Sequence, residues 1–195
     1  VASPYSYFAL TQIAALGRVA GVTPKLRPIL LGALFRDIGQ VNAPILEMTP
    51  AKQAYTRREL VRWANWWGEP FRWPVKFPQR TITAQRLCLL AGDDPALAIA
   101  LGRAIWAEAR NVEDPAVLGA VLDSVGAPRS WLERTQDPEV KARLVAETAA
   151  AQAAGVFGVP TFAIATAPPS GGTADGTQLV WGQDRLEIAM RILGG

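Results

Sequence analysis

The stretch GVFGVPTF, residues 155–162, places a proline directly before a short apolar segment, TFAIA at 161–165. A second strand-like segment, QLVW, follows at 178–181, and the residues 167–176 between them are rich in Pro, Gly, Ser and Thr. Two apolar segments separated by such residues predict an antiparallel hairpin joined by a loop. A closing amphipathic helix is predicted over 184–193, where apolar residues recur at helical spacing.

Upstream of this hairpin, most of the chain is predicted to be helical. Five pairs of a capping residue followed by proline mark helix starts: Ser3-Pro4, Thr49-Pro50, Asp94-Pro95, Asp114-Pro115 and Asp137-Pro138. The predicted helices cover 4–16, 29–38, 50–67, 95–110, 115–125 and 138–154. The segment 22–30 is a short strand candidate, although it contains Pro24 and Pro28.

Composition narrows the class of protein. Half of the 195 residues are apolar and 19% are charged, so the chain can bury a substantial core. The 20 Lys and Arg residues are scattered among 17 Asp and Glu, which argues against a nucleic-acid partner. No apolar run approaches the roughly 20 residues that span a bilayer, so we expect a soluble protein with no membrane association.

The supply of reactive side chains is limited. The only cysteine, Cys88, cannot form an internal disulfide, which favours a cytoplasmic protein. Histidine is absent, and this excludes Ser-His-Asp and Cys-His nucleophiles, a histidine general base and histidine-based zinc sites. We therefore expect no metal, and any chemistry must use other groups.

Three short motifs could carry chemistry, and each also has a purely structural interpretation. Ser3 stands at a predicted helix N-terminus, which stabilises anions, but Ser-Pro there is more often only a cap. Pro160 either forms a cis bond that exposes the Val159 backbone or is an ordinary trans proline that opens a strand. Gln183 and Asp184 either bind a ligand or cap the last helix.

The motifs become specific when they are taken together. The segments SPYSY (3–7), LRPILLGALFRDIG (26–39), NAP (42–44), WP and FP within 73–78, GVFGVPTF and WGQDRLE (181–187) resemble the 2-hydroxychromene-2-carboxylate isomerases, which are related to DsbA and kappa-class glutathione transferases. The resemblance implies an α/β thioredoxin-like fold made by residues 1–48 and 155–195, with a large all-helical insertion over 49–154. Such a fold has a strand before its first helix, and we expect that strand upstream of Val1.

The resemblance also implies a site for glutathione. Ser3 would activate the glutathione thiol, and the residues that bind the cofactor would be Asn42, Lys52, Val159, Pro160, Gln183 and Asp184. Val159 would pair its backbone with the cysteinyl part of glutathione. The family often has Gly-Asn directly after its second helix, whereas Gln40 and Val41 separate Gly39 from Asn42 in this chain.

The activity implied is a glutathione-dependent cis/trans isomerisation of an unsaturated aromatic carboxylate, in a protein that is a homodimer like many relatives. The sequence of residues 35–44, FRDIGQVNAP, is more similar to the isomerases than to the kappa-class transferases, which would share the glutathione contacts. A non-catalytic glutathione- or peptide-binding module is a further alternative. A disulfide oxidoreductase is disfavoured because residues 3–6 contain no Cys-x-x-Cys.

An aromatic cluster completes the set of candidates: Trp63, Trp66, Trp67, Phe71, Trp73 and Phe77. These side chains could form the wall of a pocket for a flat substrate, but a place in the core or in a subunit interface is the more frequent role of such clusters. The nearby Arg57, Arg58 and Lys76 could bind a substrate carboxylate or could simply be solvated.

Overall fold

The structure is a computed structural model that describes residues 1–165 and 176–194. Two strands, β1 (Thr161–Ala165) and β2 (Thr177–Trp181), lie near the end of this largely helical chain. The helices are α1 (Pro4–Ala20), α2 (Leu31–Asp37), α3 (Pro50–Trp67), α4 (Ile82–Ala91), α5 (Ala96–Trp106), α6 (Pro115–Ser124), α7 (Trp131–Arg134), α8 (Pro138–Ala153) and α9 (Leu186–Gly194). Short 3-10 turns cover Pro44–Glu47 and Gln183–Arg185.

The pairs of capping residue and proline predicted helix starts well. Helices α1, α3, α6 and α8 begin at the expected prolines. Helix α5 begins one residue later than expected, at Ala96, whose N–H is bound by the Asp94 carboxylate at 2.9 Å. Helix α1 runs four residues beyond the predicted end and stops at Gly21, which adopts a left-handed conformation with φ of 66°.

Helices α4 and α7 and the 3-10 turn at Pro44–Glu47 were not predicted. Helix α4 follows Thr81, which makes no side-chain cap hydrogen bond, and no proline marks its start. Helix α7 is a single turn of 4 residues. Neither carries the start signal used to find the others, so the sequence pattern gave no indication of them.

The hairpin prediction is confirmed. Strands β1 and β2 are antiparallel, in a register that pairs Thr161 with Trp181 and Ala165 with Thr177. Of the predicted loop at 167–176, all but Gly176 lies outside the described residues. Helix α9 begins two residues later than predicted because the 3-10 turn occupies Gln183–Arg185.

The strand candidate at 22–30 was wrong, since no strand is formed there. Side chains from the helices bind its backbone where a neighbouring strand would otherwise do so. The Ile29 carbonyl accepts from Gln85 Nε2 at 2.8 Å, and the Leu30 N–H donates to Thr148 Oγ1 at 2.9 Å. Pro24 and Pro28 have no N–H to offer a strand partner. The strand expected upstream of Val1 falls outside this sequence and stays a prediction.

The larger hydrophobic core joins α1 to the helical segment. Tyr7 and Phe8 of α1 are fully buried against residues of α5 such as Leu101 and Trp106. A smaller cluster, made by Ile164, Val180 and Ala189, lies between the hairpin and α9. Within the described ranges, no helix is long and apolar enough to cross a membrane. The division at 49 and 154 stays a prediction, and α1 packs on the helices that this division assigns to the insertion.

We predict that Thr148 is an energetic link between α8 and the 22–30 segment. Thr148 is 5% exposed, and its hydroxyl donates to the Leu144 carbonyl at 2.8 Å while accepting from the Leu30 N–H. Thr148→Val keeps the shape of the side chain but leaves that N–H unpaired. The free energy of unfolding, measured by urea denaturation, should therefore fall by about 1 to 3 kcal/mol. Thr148→Ser keeps the hydroxyl, so its free energy of unfolding should fall less. A larger loss in Thr148→Ser than in Thr148→Val would contradict this role.

Candidate functional site

Ser3 occupies the N-cap position of α1 without making a cap. Its backbone is extended, with φ −113° and ψ 135°, and its carbonyl accepts the Tyr7 N–H at 3.1 Å. Its side chain makes no cap hydrogen bond, although the residue is only 9% exposed. Asp114, by contrast, caps α6 by accepting the Ala116 N–H at 2.8 Å. Among the described residues nothing binds the Ser3 hydroxyl, which stands at the positive end of α1.

The Val159-Pro160 peptide bond is cis, which is the first of the two alternatives that the sequence left open. Within the described part of the chain, neither the N–H nor the carbonyl of Val159 makes a hydrogen bond. The Pro160 carbonyl accepts the Gly182 N–H at 2.9 Å, immediately beyond the paired residues Thr161 and Trp181. The hairpin therefore holds Pro160 against the start of the Gln183–Arg185 turn.

Gln183 is a buried amide with only one of its two polar ends paired. Trp67 Nε1 donates to Gln183 Oε1 at 2.5 Å, and Gln183 is 1% exposed. An indole N–H can only donate, so the amide oxygen must face Trp67 and the NH2 group must face away. Among the described residues Gln183 Nε2 has no partner. A buried donor of this kind is costly unless something accepts from it.

The start of α1 lies beside this turn. Burial raises the pKa of Tyr5 to about 12, and the negative charges of Glu59 and Asp184 add to the increase. Helix α1 contacts the Gln183–Arg185 turn, and Gly182, which precedes that turn, is bonded to Pro160. The structure thus brings together the Ser3 end of α1, the cis proline and the turn that carries Gln183 and Asp184. The Asp184 carboxylate is exposed and pairs with Arg185 at 3.2 Å.

Asn42 and Lys52 are placed differently from each other. Asn42 is exposed, and its Oδ1 would lie 2.9 Å from a Cβ added to Gly32 of α2. It lines a cleft of about 460 Å3 together with Ala2, the neighbour of Ser3. Lys52 is exposed in the first turn of α3, where its backbone N–H donates to Thr49 Oγ1 at 3.5 Å. In the described ranges Lys52 makes no hydrogen bond or ion pair with another predicted site residue.

Most of the aromatic cluster belongs to the core. Phe71, Trp73 and Phe77 surround the buried Trp106, with ring centroids 6.0 to 6.5 Å apart. Trp66 points outward and is 74% exposed. Trp63 and Trp67 also pack against the core, and Trp67 in addition reaches Gln183. That contact joins residues 116 positions apart, so no sequence signal marked it.

The cations near this cluster have local partners. Arg57 stacks over the Trp73 ring at 4.3 Å, and Lys76 forms an ion pair with Glu113 at 2.8 Å. Arg58 is exposed on α3.

No group of His, Cys, Asp and Glu suited to a metal ion occurs in residues 1–165 and 176–194.

Comparison with known proteins gives the family. The family model described as "DSBA-like thioredoxin domain" matches residues 1–193. The chain is 26% identical over 194 residues to 2-hydroxychromene-2-carboxylate isomerase of Pseudomonas putida, covering 98% of this chain and 90% of that one. It is also 26% identical over 211 residues to glutathione S-transferase kappa 1 of Rattus norvegicus, covering 100% of this chain and 88% of the relative.

A solved structure agrees with these relatives. The structure of a 2-hydroxychromene-2-carboxylate isomerase superposes with a TM-score of 0.80 at 26% identity, over 98% of this chain and 90% of that chain. The mostly helical architecture with a small two-stranded sheet is that of a DsbA-like thioredoxin fold. Because the family model spans nearly the whole sequence, this chain belongs to the DsbA-like thioredoxin domain family.

Proposed function

We propose that this protein is a glutathione-dependent isomerase of unsaturated aromatic carboxylates. The observation that carries the proposal is the Ser3 hydroxyl, which is nearly buried at the N-terminus of α1 and makes no cap hydrogen bond. A hydroxyl there can donate to a thiolate that also lies at the positive end of the helix. The similarity to a protein named 2-hydroxychromene-2-carboxylate isomerase supports this choice of reaction.

The unpaired polar groups of the site suit a peptide ligand such as glutathione. Val159 offers a backbone N–H and a carbonyl that no described residue occupies, which is what a short extended peptide requires. Gln183 offers a buried NH2 group that needs an acceptor, such as a carboxylate. Asp184 would accept the ligand ammonium group in exchange for Arg185. Asn42, on the cleft beside Ala2, and Lys52 would bind the remaining peptide groups.

In the proposed reaction the protein stabilises the negative charge of the thiolate. Bound glutathione would supply a thiolate that adds reversibly to the carbon-carbon double bond, so that rotation becomes possible before the bond reforms. Ser3 would stabilise this thiolate by one hydrogen bond, and the N-terminus of α1 would stabilise it further. No residue of the chain has to act as nucleophile or general base.

The chain's own thiol is unsuited to this role. Cys88 is 3% exposed in the larger core, and burial raises its pKa to about 11. A neutral, inaccessible thiol neither attacks an electrophile nor forms a mixed disulfide. The sulfur must therefore come from outside.

We predict that Cys88 does not react with an aromatic disulfide reagent in the folded protein at mildly alkaline pH. Unfolding in urea should restore a pKa near the ordinary value of about 8.5 and allow one thiol per chain to react at once. Cys88→Ala should leave turnover unchanged. Rapid reaction of the folded protein would contradict the placement of Cys88 in the core, and lost turnover in Cys88→Ala would assign it a chemical role.

A second candidate function is that of a kappa-class transferase, because the chain is as similar to the rat enzyme as to the isomerase, at 26% identity. The two functions differ in what happens to the adduct. With trans-benzylidenepyruvate we predict that isomerised product far exceeds the glutathione supplied and that free thiol stays constant. Stoichiometric loss of thiol with a stable thioether would establish the transferase. Glutathione binding without either reaction would leave a non-catalytic module. The homodimer and the cytoplasmic location remain predictions.

Replacing Ser3 should separate chemistry from capping. Ser3→Ala removes a charge-assisted hydrogen bond worth about 1.5 to 3 kcal/mol, so turnover should fall about ten- to a hundredfold. Because no cap hydrogen bond is lost, the free energy of unfolding should change by less than about 0.5 kcal/mol.

Asp114→Ala is the matched control for this experiment. It removes a real cap, the 2.8 Å bond to the Ala116 N–H, and should cost about 1 kcal/mol of stability at unchanged turnover. The proposal would be wrong if Ser3→Ala behaved like Asp114→Ala, with full turnover and reduced stability.

A further inference from the structure

We propose that Arg80 binds the carboxylate of the electrophilic substrate and so makes the enzyme selective for acids over their uncharged analogues. This inference rests on the proposed function and names a specificity-determining residue for it. Arg80 lies in the segment between the Phe77-Pro78 dipeptide and the start of α4.

The cleft beside the start of α1 has the size and lining for a small aromatic acid. Its volume of about 460 Å3 lies within the range of small-molecule sites. Ala2 places one wall next to Ser3, and Phe77, which is only partly buried, contributes aromatic surface to the lining. Arg36 and Arg80 are the charged residues of the lining, and no described lining residue is acidic. The charged side chains of the described lining are therefore all positive.

Of these two arginines, Arg80 has the unpaired guanidinium. Arg36 pairs with the neighbouring Asp37 at 2.7 Å. The Arg80 side chain makes no hydrogen bond or ion pair within residues 1–165 and 176–194. An acid beside Arg80 is Glu113, whose Oε1 binds Lys76 at 2.8 Å and the Arg80 backbone N–H at 2.9 Å. One carboxylate thus faces two cations, which leaves an excess positive charge at the cleft.

The Arg80 backbone and the preceding Gln79 side chain are anchored to residues 110–113. Gln79 Nε2 donates to the Arg110 carbonyl at 3.0 Å, and Gln79 Oε1 accepts the Val112 N–H at 2.9 Å. With the Arg80 N–H bound to Glu113, three hydrogen bonds hold this short segment to residues 110–113. Only the side chain of Arg80 would have to be ordered on binding, which favours a specific geometry.

The chemistry of the pair is well matched. A guanidinium is planar and binds a carboxylate through two parallel N–H bonds, whereas an aromatic ring packs on apolar and aromatic side chains. Two carboxylates could meet Arg80: that of the electrophile, or the glycine carboxylate of glutathione. We assign Arg80 to the electrophile because the partly buried Phe77 offers an aromatic surface for its ring in the same cleft.

The test measures binding with an unreactive ligand pair. Protein loaded with S-methylglutathione is titrated calorimetrically with 4-phenyl-2-oxobutanoate and with 4-phenyl-2-butanone, which replaces the carboxylate by a methyl group. Arg80→Gln should weaken keto-acid binding about ten- to a hundredfold and leave ketone binding unchanged. Arg80→Lys should retain part of the preference, because it keeps the charge but loses the bidentate geometry.

Arg58→Gln is the control, since it removes the same charge from α3 without touching the cleft. Equal weakening in Arg58→Gln, or an unchanged keto-acid affinity in Arg80→Gln, would overturn the inference. Weakened binding of S-methylglutathione alone would also overturn it, by assigning Arg80 to the glycine carboxylate. A selective loss of keto-acid binding in a protein that turns over neither benzylidenepyruvate nor benzylideneacetone would support Arg80 and contradict the proposed function.

Discussion

The interaction on which the account depends is that between a hydroxyl and an anion at the N-terminus of α1. Helix N-termini stabilise negative charge because their first N–H groups lack partners within the helix. Ser3 stands there with its side chain unused by the cap, while the only thiol of the chain is buried in the core. If this place holds a thiolate, as we propose, the thiol must come from outside the chain.

Helical residues distant in sequence from the site position two of its groups. Helix α1 is held by Tyr7, whose hydroxyl lies 3.1 Å from both Glu69 Oε2 and the Pro70 carbonyl, and by its burial against α5. At the other side of the site, Trp67 fixes the orientation of the Gln183 amide. The position of Ser3 and the direction in which Gln183 donates therefore both depend on contacts from the helical residues 67–106.

Local signals predicted much of this structure, whereas long-range contacts escaped them. Ser3-Pro4 and the residues around Pro160 indicated a helix start and a hairpin because caps and turns act over a few residues. The 22–30 segment was misjudged because a strand needs a partner, and Gln85 and Thr148 bind its backbone instead. Arg80 was not a candidate in the sequence for a related reason. Its guanidinium lacks an ion-pair partner among the described residues because Glu113 binds Lys76, and no pattern near Arg80 reveals that contact.

The most direct test is the ionisation of glutathione in the site. The pKa of the bound thiol can be followed through the ultraviolet absorbance of the thiolate, in the unmodified protein and in Ser3→Ala. One charge-assisted hydrogen bond corresponds to about one to two pKa units, so the bound thiol should ionise at least one unit below its ordinary value of about 8.5. Ser3→Ala should return the pKa most of the way to that value. An equal pKa in both proteins would contradict the account.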